Sequence, residues 1–345
     1  MDQVMELLQR LAPEEVAAME QRYEILSAIS LKGPIGRRAL AGAISAQERA
    51  VRHQCEVLRA QGLIEAAQEG MRATQAGERV LLSLGPMMRS LTGTGRIAAQ
   101  LSRLLRVEHV VIQAGAVADD ELRKRELCHT AAQYVSRWLP GAHTLAIMGG
   151  TTMAQLAQQM PQGNYPELIV LPARGGMGER VEMQANLVAA QMAGRLNAQY
   201  RMLHLPDDVN AGTMERLMER ASIAEVVAMI RQPDILIYSI GRADELMQRR
   251  GLAKQARRML EAKGAVAEAL GMYFDREGRS LLSASAVGPD LTRLAAIPRT
   301  VAVAGGAHKA EAILAAVRAT HPSALFLDES AAAAMLEILR ARQPL

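Results

Sequence analysis

Residues 143–160, HTLAIMGGTTMAQLAQQM, constrain the fold of this chain more than any other run. Residues 145–148 are short, apolar and suited to a buried strand. Gly149-Gly150 breaks them, and residues 153–160 take up an amphipathic helical period. A strand that turns through two glycines into a helix opening on threonines belongs in an α/β sheet. The glycines let the backbone approach a ligand, and the free N–H groups at the positive helix end favour an anion. GGTT has neither the GK[ST] of a Walker loop nor the spacing of GxGxxG, so neither nucleotide class is indicated. A tight crossover turn with threonine caps would account for the same residues without a ligand.

From residue 108 onward, strand-then-helix units repeat. Strands are expected at 110–113, 145–148, 168–171, 200–205, 235–240, 301–304 and 324–327, most of them followed by a helix. That is the pattern of an open, Rossmann-like α/β sheet. Polar residues collect where these strands end. Arg174 lies in PARGG, with Gln184 and Asn186 beyond it. Gly241-Arg242 leads to Arg249-Arg250, and Gly305-Gly306 leads to His308 and Lys309. In an open parallel sheet such ends share one edge and form the ligand crevice. Two glycine-pair helix starts, a lysine and arginines there suit one or more phosphates, which arginine grips bidentately.

The first 84 residues read differently. Helical periods cover 4–11, then Met19, Tyr23, Leu26 and Ile29 up to Gly33-Pro34, then 37–43. Ser45-Ala46-Gln47-Glu48 has the form of a capping box opening a helix over 45–61. Val51, Cys55 and Leu58 share one face of it, and Arg49, Arg52, His53 and Glu56 the other. Gly62 closes this helix, and residues 63–65 and 71–73 can pair across a polar turn. Helix, helix, longer helix and two-stranded wing is the layout of a winged helix-turn-helix, whose third helix reads a major groove. The net charge of +4 says little, but residues 37–103 hold ten arginines against five acidic residues. That local excess is a nucleic-acid footprint, with Arg37, Arg38, Arg49, Arg52 and His53 as candidate contacts to double-stranded DNA. A helical adaptor with a solvated charged face would carry the same pattern. Residues 85–106 are expected to form one linker helix, dividing the chain into 1–84, 85–106 and 107–345.

Several classes find no support. Cys55 and Cys128 supply neither a disulfide framework nor CxxC spacing, and HxH, HExxH and GxSxG are absent. No metal, cofactor or catalytic residue is expected. No apolar run of 18 residues and no signal-peptide pattern occur, so the expectation is a cytoplasmic protein without membrane contact. Asp119, Asp120 and Glu121 read as a solvated loop. Glu268 and His308 could form the acid–base pair of a sugar-phosphate isomerase. Glu268, though, better suits accepting hydrogen bonds from sugar hydroxyls.

The runs RYEIL (22–26), PIGRR (34–38), GGTT (149–152), PARGG (172–176), QAN (184–186), Tyr200-Arg201, AVAGG (302–306) and KAEAI (309–313) occur in order along nearly the whole chain. Together they resemble the SorC-type sugar-binding transcriptional regulators, above all the branch that controls glycolytic genes in Gram-positive bacteria. PARGG with QAN and the early PIGRR are the specific matches. The resemblance implies a non-enzymatic repressor, with an N-terminal winged helix-turn-helix and an effector domain folded like sugar-phosphate isomerases. It implies operator DNA as one partner, a homo-dimer or tetramer, and fructose-1,6-bisphosphate or a similar sugar phosphate as effector. By the same resemblance Thr151 and Thr152 hold one phosphate with Lys309 adding charge, and Arg174 and Arg249 grip the other. Gln184 and Glu268 read the sugar, and Arg250 is the alternative to Arg249. The residues by themselves leave open an isomerase- or deaminase-like enzyme, a regulator of the same type answering to another sugar phosphate, and a ligand-binding adaptor without DNA activity.

Overall fold

The computed structural model describes every residue except 1–6, 9, 45, 92, 119, 176–182, 206–208, 210, 285–286 and 342–345, and the side chains of 82, 86, 89, 90 and 211. The chain divides into two units, residues 1–97 with 120–126 and residues 98–119 with 127–345.

In the first unit, α1 (Pro13–Lys32), α2 (Arg37–Ala43) and α3 (Glu48–Ala60) precede β1 (Ile64–Ala67), β2 (Gly70–Ala73) and α4 (Gln75–Leu91). The core joins Ile25, Leu26 and Ile29 of α1, Leu40 of α2, Val51, Cys55 and Leu58 of α3, and Ile64 and Met71 of the wing. The apolar stripe of α3 therefore faces inward as its spacing requires. The buried Gln54 fixes that helix: its carboxamide oxygen accepts from Arg22 Nε at 2.7 Å, and its nitrogen donates to Gln21 at 3.3 Å. The helix starts later than the expected residue 45. Its N-cap is Gln47, which makes no side-chain cap bond, and the Ser45 of the expected capping box lies outside the described residues. At the other end Gly62 N–H donates to Arg59 O and Leu63 N–H to Leu58 O. This is the crossed pair of a left-handed helix terminus, with Gly62 at φ 68°. The wing strands pair antiparallel from Ile64↔Ala73 to Ala67↔Gly70, and Ile35 exchanges two backbone bonds with Met71.

The expected single linker helix over 85–106 is two helices. Helix α4 runs on from the wing to Leu91, and α5 (Thr94–Leu105) begins afresh. Gly93 stands between them at φ 76°, outside the helical region.

The second unit follows with β3 (His109–Gln113), α6 (Glu121–Ser136), β4 (Thr144–Ile147), α7 (Thr151–Gln159), β5 (Ile169–Pro172), α8 (Ala185–Leu196) and β6 (Gln199–Tyr200). Then come α9 (Ala211–Met218), α10 (Ala221–Arg231), β7 (Ile235–Arg242), α11 (Ala243–Arg249), α12 (Lys254–Ala262), β8 (Ala267–Ala269), β9 (Met272–Phe274) and β10 (Ser280–Ser283). The unit closes with α13 (Leu291–Leu294), β11 (Arg299–Val303), a 3₁₀ turn over Ala307–Lys309, α14 (Ala310–Thr320), β12 (Ala324–Asp328) and α15 (Glu329–Ala341).

Among the described residues, seven parallel strands lie in the order β6-β5-β4-β7-β11-β12-β3. From β4 the chain moves outward to β5 and β6, returns to β7 on the other side of β4, and continues to β11 and β12. The order thus reverses between β4 and β7, the place where such sheets open a crevice beyond the strands' carboxyl ends. Strand β7 is long enough to serve two sheets. Ile235–Ile237 pair in parallel with β4, while Ile240–Arg242 pair antiparallel with β8, which carries β9 and β10. The central strands are buried on both faces and read as near-continuous apolar runs.

Candidate functional site

Gly149 and Gly150 make the turn from β4 into α7, and the fold leaves no alternative residue at either. A Cβ on Gly149 would sit 2.4 Å from Met183 O and 2.9 Å from Ala185 N, and Gly150 has φ 111°. The Gly150 N–H donates to Met183 O at 2.8 Å. This close approach sets Gln184 beside the first turn of α7, where Thr151 and Thr152 present the unsatisfied N–H groups of a helix start.

These residues line an open cleft of about 880 Å³, solvent included, at the reversal between β4 and β7. Thr151, Thr152, Arg174, Gln184, Arg249, Glu268 and Lys309, each singled out in the sequence, all line it. Glu245, Leu246, Met183 and Arg250 line it as well and were missed or left as alternatives. Among the described residues, the cleft thus collects Arg174, Arg249, Arg250 and Lys309 against two carboxylates, Glu245 and Glu268. Arg249 is exposed at the end of α11, while the Arg250 side chain is buried and pairs with Glu268 at 2.7 Å.

Glu268 reaches the cleft because β8 adds to the far end of β7, opposite Gly241. Its Oε1 accepts from Gly271 N–H at 2.6 Å in addition to meeting Arg250. Across the β8–β9 ladder it faces Tyr273, which is fully buried. Burial pushes the Tyr273 hydroxyl up to about 12, with Arg250, Glu268 and Arg174 as its charged neighbours. The hydroxyl therefore stays protonated beside them.

The second glycine pair does not act as expected. Gly305, Gly306 and His308 are outside the cleft lining, and only Lys309 reaches it. The Gly306 N–H is already donated to Asp328 Oδ1 at 2.9 Å, and the other oxygen of Asp328 accepts from Val117 N–H. That turn is held from within the protein. His308 is exposed on the 3₁₀ turn and is not brought to Glu268 in the cleft. Among the described residues, no group of three His, Cys, Asp or Glu is placed to hold a metal ion. No helix among them is long and apolar enough to cross a membrane.

In the first unit, Arg37, Arg38, Arg49, Arg52 and His53 are all exposed, on α2 and the outer face of α3. Arg38 lies 3.8 Å from Glu48 and Arg52 3.1 Å from Glu56, loose surface pairs that a phosphate can displace. The wing adds Arg72, paired with Glu69 at 2.7 Å.

A winged helix with an outward basic face, and a separate α/β unit with a polar cleft at its topological switch, define a ligand-responsive DNA-binding regulator. Comparison with known proteins makes the class specific. Residues 18–88 match the CggR N-terminal DNA binding domain, and residues 89–337 match a family of sugar-binding domains. The chain is 33% identical over 337 residues to the central glycolytic genes regulator of Bacillus subtilis strain 168, covering 97% of this chain and 99% of that one. The regulator of the same name from Priestia megaterium is also 33% identical, over 96% of this chain and 98% of its own. A crystal structure of a SorC family transcriptional regulator from Enterococcus faecalis is 34% identical, with a TM-score of 0.65 over 70% of this chain and 99% of that chain. The chain belongs to the SorC family of sugar-binding transcriptional regulators.

Proposed function

We propose that this regulator is a repressor of glycolytic genes, and that fructose-1,6-bisphosphate in the β4/β7 cleft modulates its grip on operator DNA. One observation carries the reading: among the described residues, four cations from three separate segments converge with the N-terminal turn of α7 on one cleft. A neutral sugar needs no such charge, and a monophosphate needs only part of it. Thr151, Thr152 and Lys309 are assigned to one phosphate, Arg174 and Arg249 to the other, and Gln184 and Glu268 to the sugar between them. The glycolytic target is supported by what the relatives from Bacillus subtilis and Priestia megaterium regulate. Arg37, Arg38, Arg49, Arg52 and His53 are assigned to the operator. Two-fold operators pair with two-fold proteins, so the active form is a dimer or a dimer of dimers. A catalytic reading has less support, because Glu268 is tied to Arg250 and the other candidate, His308, is outside the cleft.

Calorimetry with fructose-1,6-bisphosphate and fructose-6-phosphate tests the proposal. Each lost charge-assisted grip is worth roughly 1.5–3 kcal/mol, so the monophosphate should bind about ten- to hundredfold more weakly. Arg174→Ala should erase most of that preference. Equal affinity for the two sugars would remove the bisphosphate assignment.

A further inference from the structure

We propose that Asp328, a buried carboxylate outside the cleft lining, is the positioning residue for Lys309. It holds the turn between β11 and α14 so that Lys309 stands at the cleft before any ligand arrives. This rests on reading the cleft as a sugar-phosphate site with Lys309 in it.

Asp328 closes β12 and is fully buried. Among the described residues its side chain accepts from four donors on three segments. Oδ1 takes the Gly306 N–H at 2.9 Å and the Ala331 N–H at 3.1 Å. Oδ2 takes the Val117 N–H at 2.8 Å and the Ser330 hydroxyl at 2.7 Å. One carboxylate thus ties together the segments that follow β3, β11 and β12. Burying it is costly unless its oxygens are satisfied, and once satisfied it acts as a rigid cross-link.

The turn after β11 is laid directly against this group. A Cβ on Gly305 would lie 2.4 Å from Val117 Cγ2 and 3.3 Å from the Asp328 carboxylate. The Ala304 N–H donates to Phe326 O at 3.0 Å, and the Lys309 N–H donates to Gly306 O at 3.0 Å. The backbone of Lys309 is therefore bonded to the residue that Asp328 holds. Lys309 ends the 3₁₀ turn leading into α14 and lines the cleft, while Asp328 does not.

A lysine is a point charge on a flexible four-carbon stem, so its pull on a phosphate depends on where its backbone is fixed. Freedom left in the turn would have to be given up on binding. Asp328 removes that freedom in advance. An asparagine cannot replace it, because it offers one oxygen to two pairs of donors and turns an NH₂ toward the other pair.

The test is calorimetry with fructose-1,6-bisphosphate on the full chain, for wild type, Asp328→Asn, Lys309→Met and the double variant. Glu329→Ala is the control. Glu329 accepts from the Gly115 N–H at 2.9 Å, a bond of the same kind made at a different turn. Asp328→Asn should weaken bisphosphate binding about five- to tenfold, and Lys309→Met at least as much. In the Lys309→Met background Asp328→Asn should cost less than about twofold, since no ammonium is left to place. Glu329→Ala should lower the melting temperature yet bind within about twofold of wild type. Equal losses from Asp328→Asn with and without the lysine would make Asp328 a general anchor and overturn the proposal. A loss in Glu329→Ala as large as in Asp328→Asn would overturn it too. Should Asp328→Asn fail to fold, hydrogen exchange on the wild type decides. The Gly306 amide should be protected without ligand, and fast exchange that slows only with the bisphosphate would overturn the proposal. A Lys309→Met variant that binds like wild type, or a wild type that binds no sugar phosphate, would instead remove the reading on which this one stands.

Discussion

Replacing Arg49 and Arg52 with alanine removes two exposed cations from the outer face of α3 and nothing from its core. Neither position contributes to the cluster built on Val51, Cys55 and Leu58. Among the described residues, the pair given up is Arg52–Glu56, an exposed contact at 3.1 Å and spacing i,i+4, worth about 0.3–0.5 kcal/mol. The fold should therefore survive. If each arginine neutralises one DNA phosphate, the log–log salt slope should fall by about 1.8, from about 0.9 per contact. Between 50 and 200 mM salt the wild type should then lose about twelvefold more affinity than the variant. The same counterion arithmetic puts the loss at 150 mM salt near thirtyfold, roughly 2 kcal/mol. Fluorescence anisotropy with DNA selected by this protein, repeated at four salt concentrations, reads both quantities. An unchanged slope, with helical circular dichroism intact, would show that this face does not meet the phosphate backbone.

Two further outcomes follow from the sheet unit. Gly149→Ala drives a Cβ into Met183 O and Ala185 N, so it should cost at least about 2 kcal/mol in urea unfolding and abolish sugar-phosphate binding. Asp234 lies where β4 and β7 begin, and burial tends to raise its carboxyl. The N–H groups of His143 and Thr144 and the Thr144 hydroxyl outweigh that effect and hold it below the usual range. Its contribution should thus be full above about pH 4 and fade as pH falls through the depressed folded value. Asp234→Ala should destabilise the protein at pH 7 and progressively less below pH 4, as followed by thermal unfolding.

Six of the seven expected strands form ladders close to where the apolar runs place them, because parallel strands buried on both faces announce themselves as β-branched and leucine runs. The seventh, over 200–205, stops at Tyr200. It is an edge strand, and the Asn186 side chain takes both backbone groups of Leu203, diverting the chain from its neighbour. That bond is made across 17 residues and has no local signature. Strands β8 and β9 hold three residues each and β10 four, too short for either period to register. Yet they carry Glu268 and Tyr273 to the cleft, so the resemblance found Glu268 while its tie to Arg250 stayed hidden. Periodicity gave no warning of the break at Gly93, since a lone glycine is tolerated inside a helix. The two glycine pairs looked alike as sequence. Only the long-range bond from Gly306 to Asp328 separates them, one pair opening on the cleft and the other on an internal carboxylate.

The proposed function requires a linkage between the cleft and the operator. It is tested most directly by measuring operator affinity at increasing fructose-1,6-bisphosphate. A ligand shifts DNA binding only if it prefers one state of the protein, and the shift must be reciprocal. The operator Kd should rise to a plateau in the bisphosphate, DNA should weaken bisphosphate binding by the same factor, and fructose-6-phosphate at equal concentration should have little effect. An operator Kd that stays constant while calorimetry shows the cleft filled would contradict it.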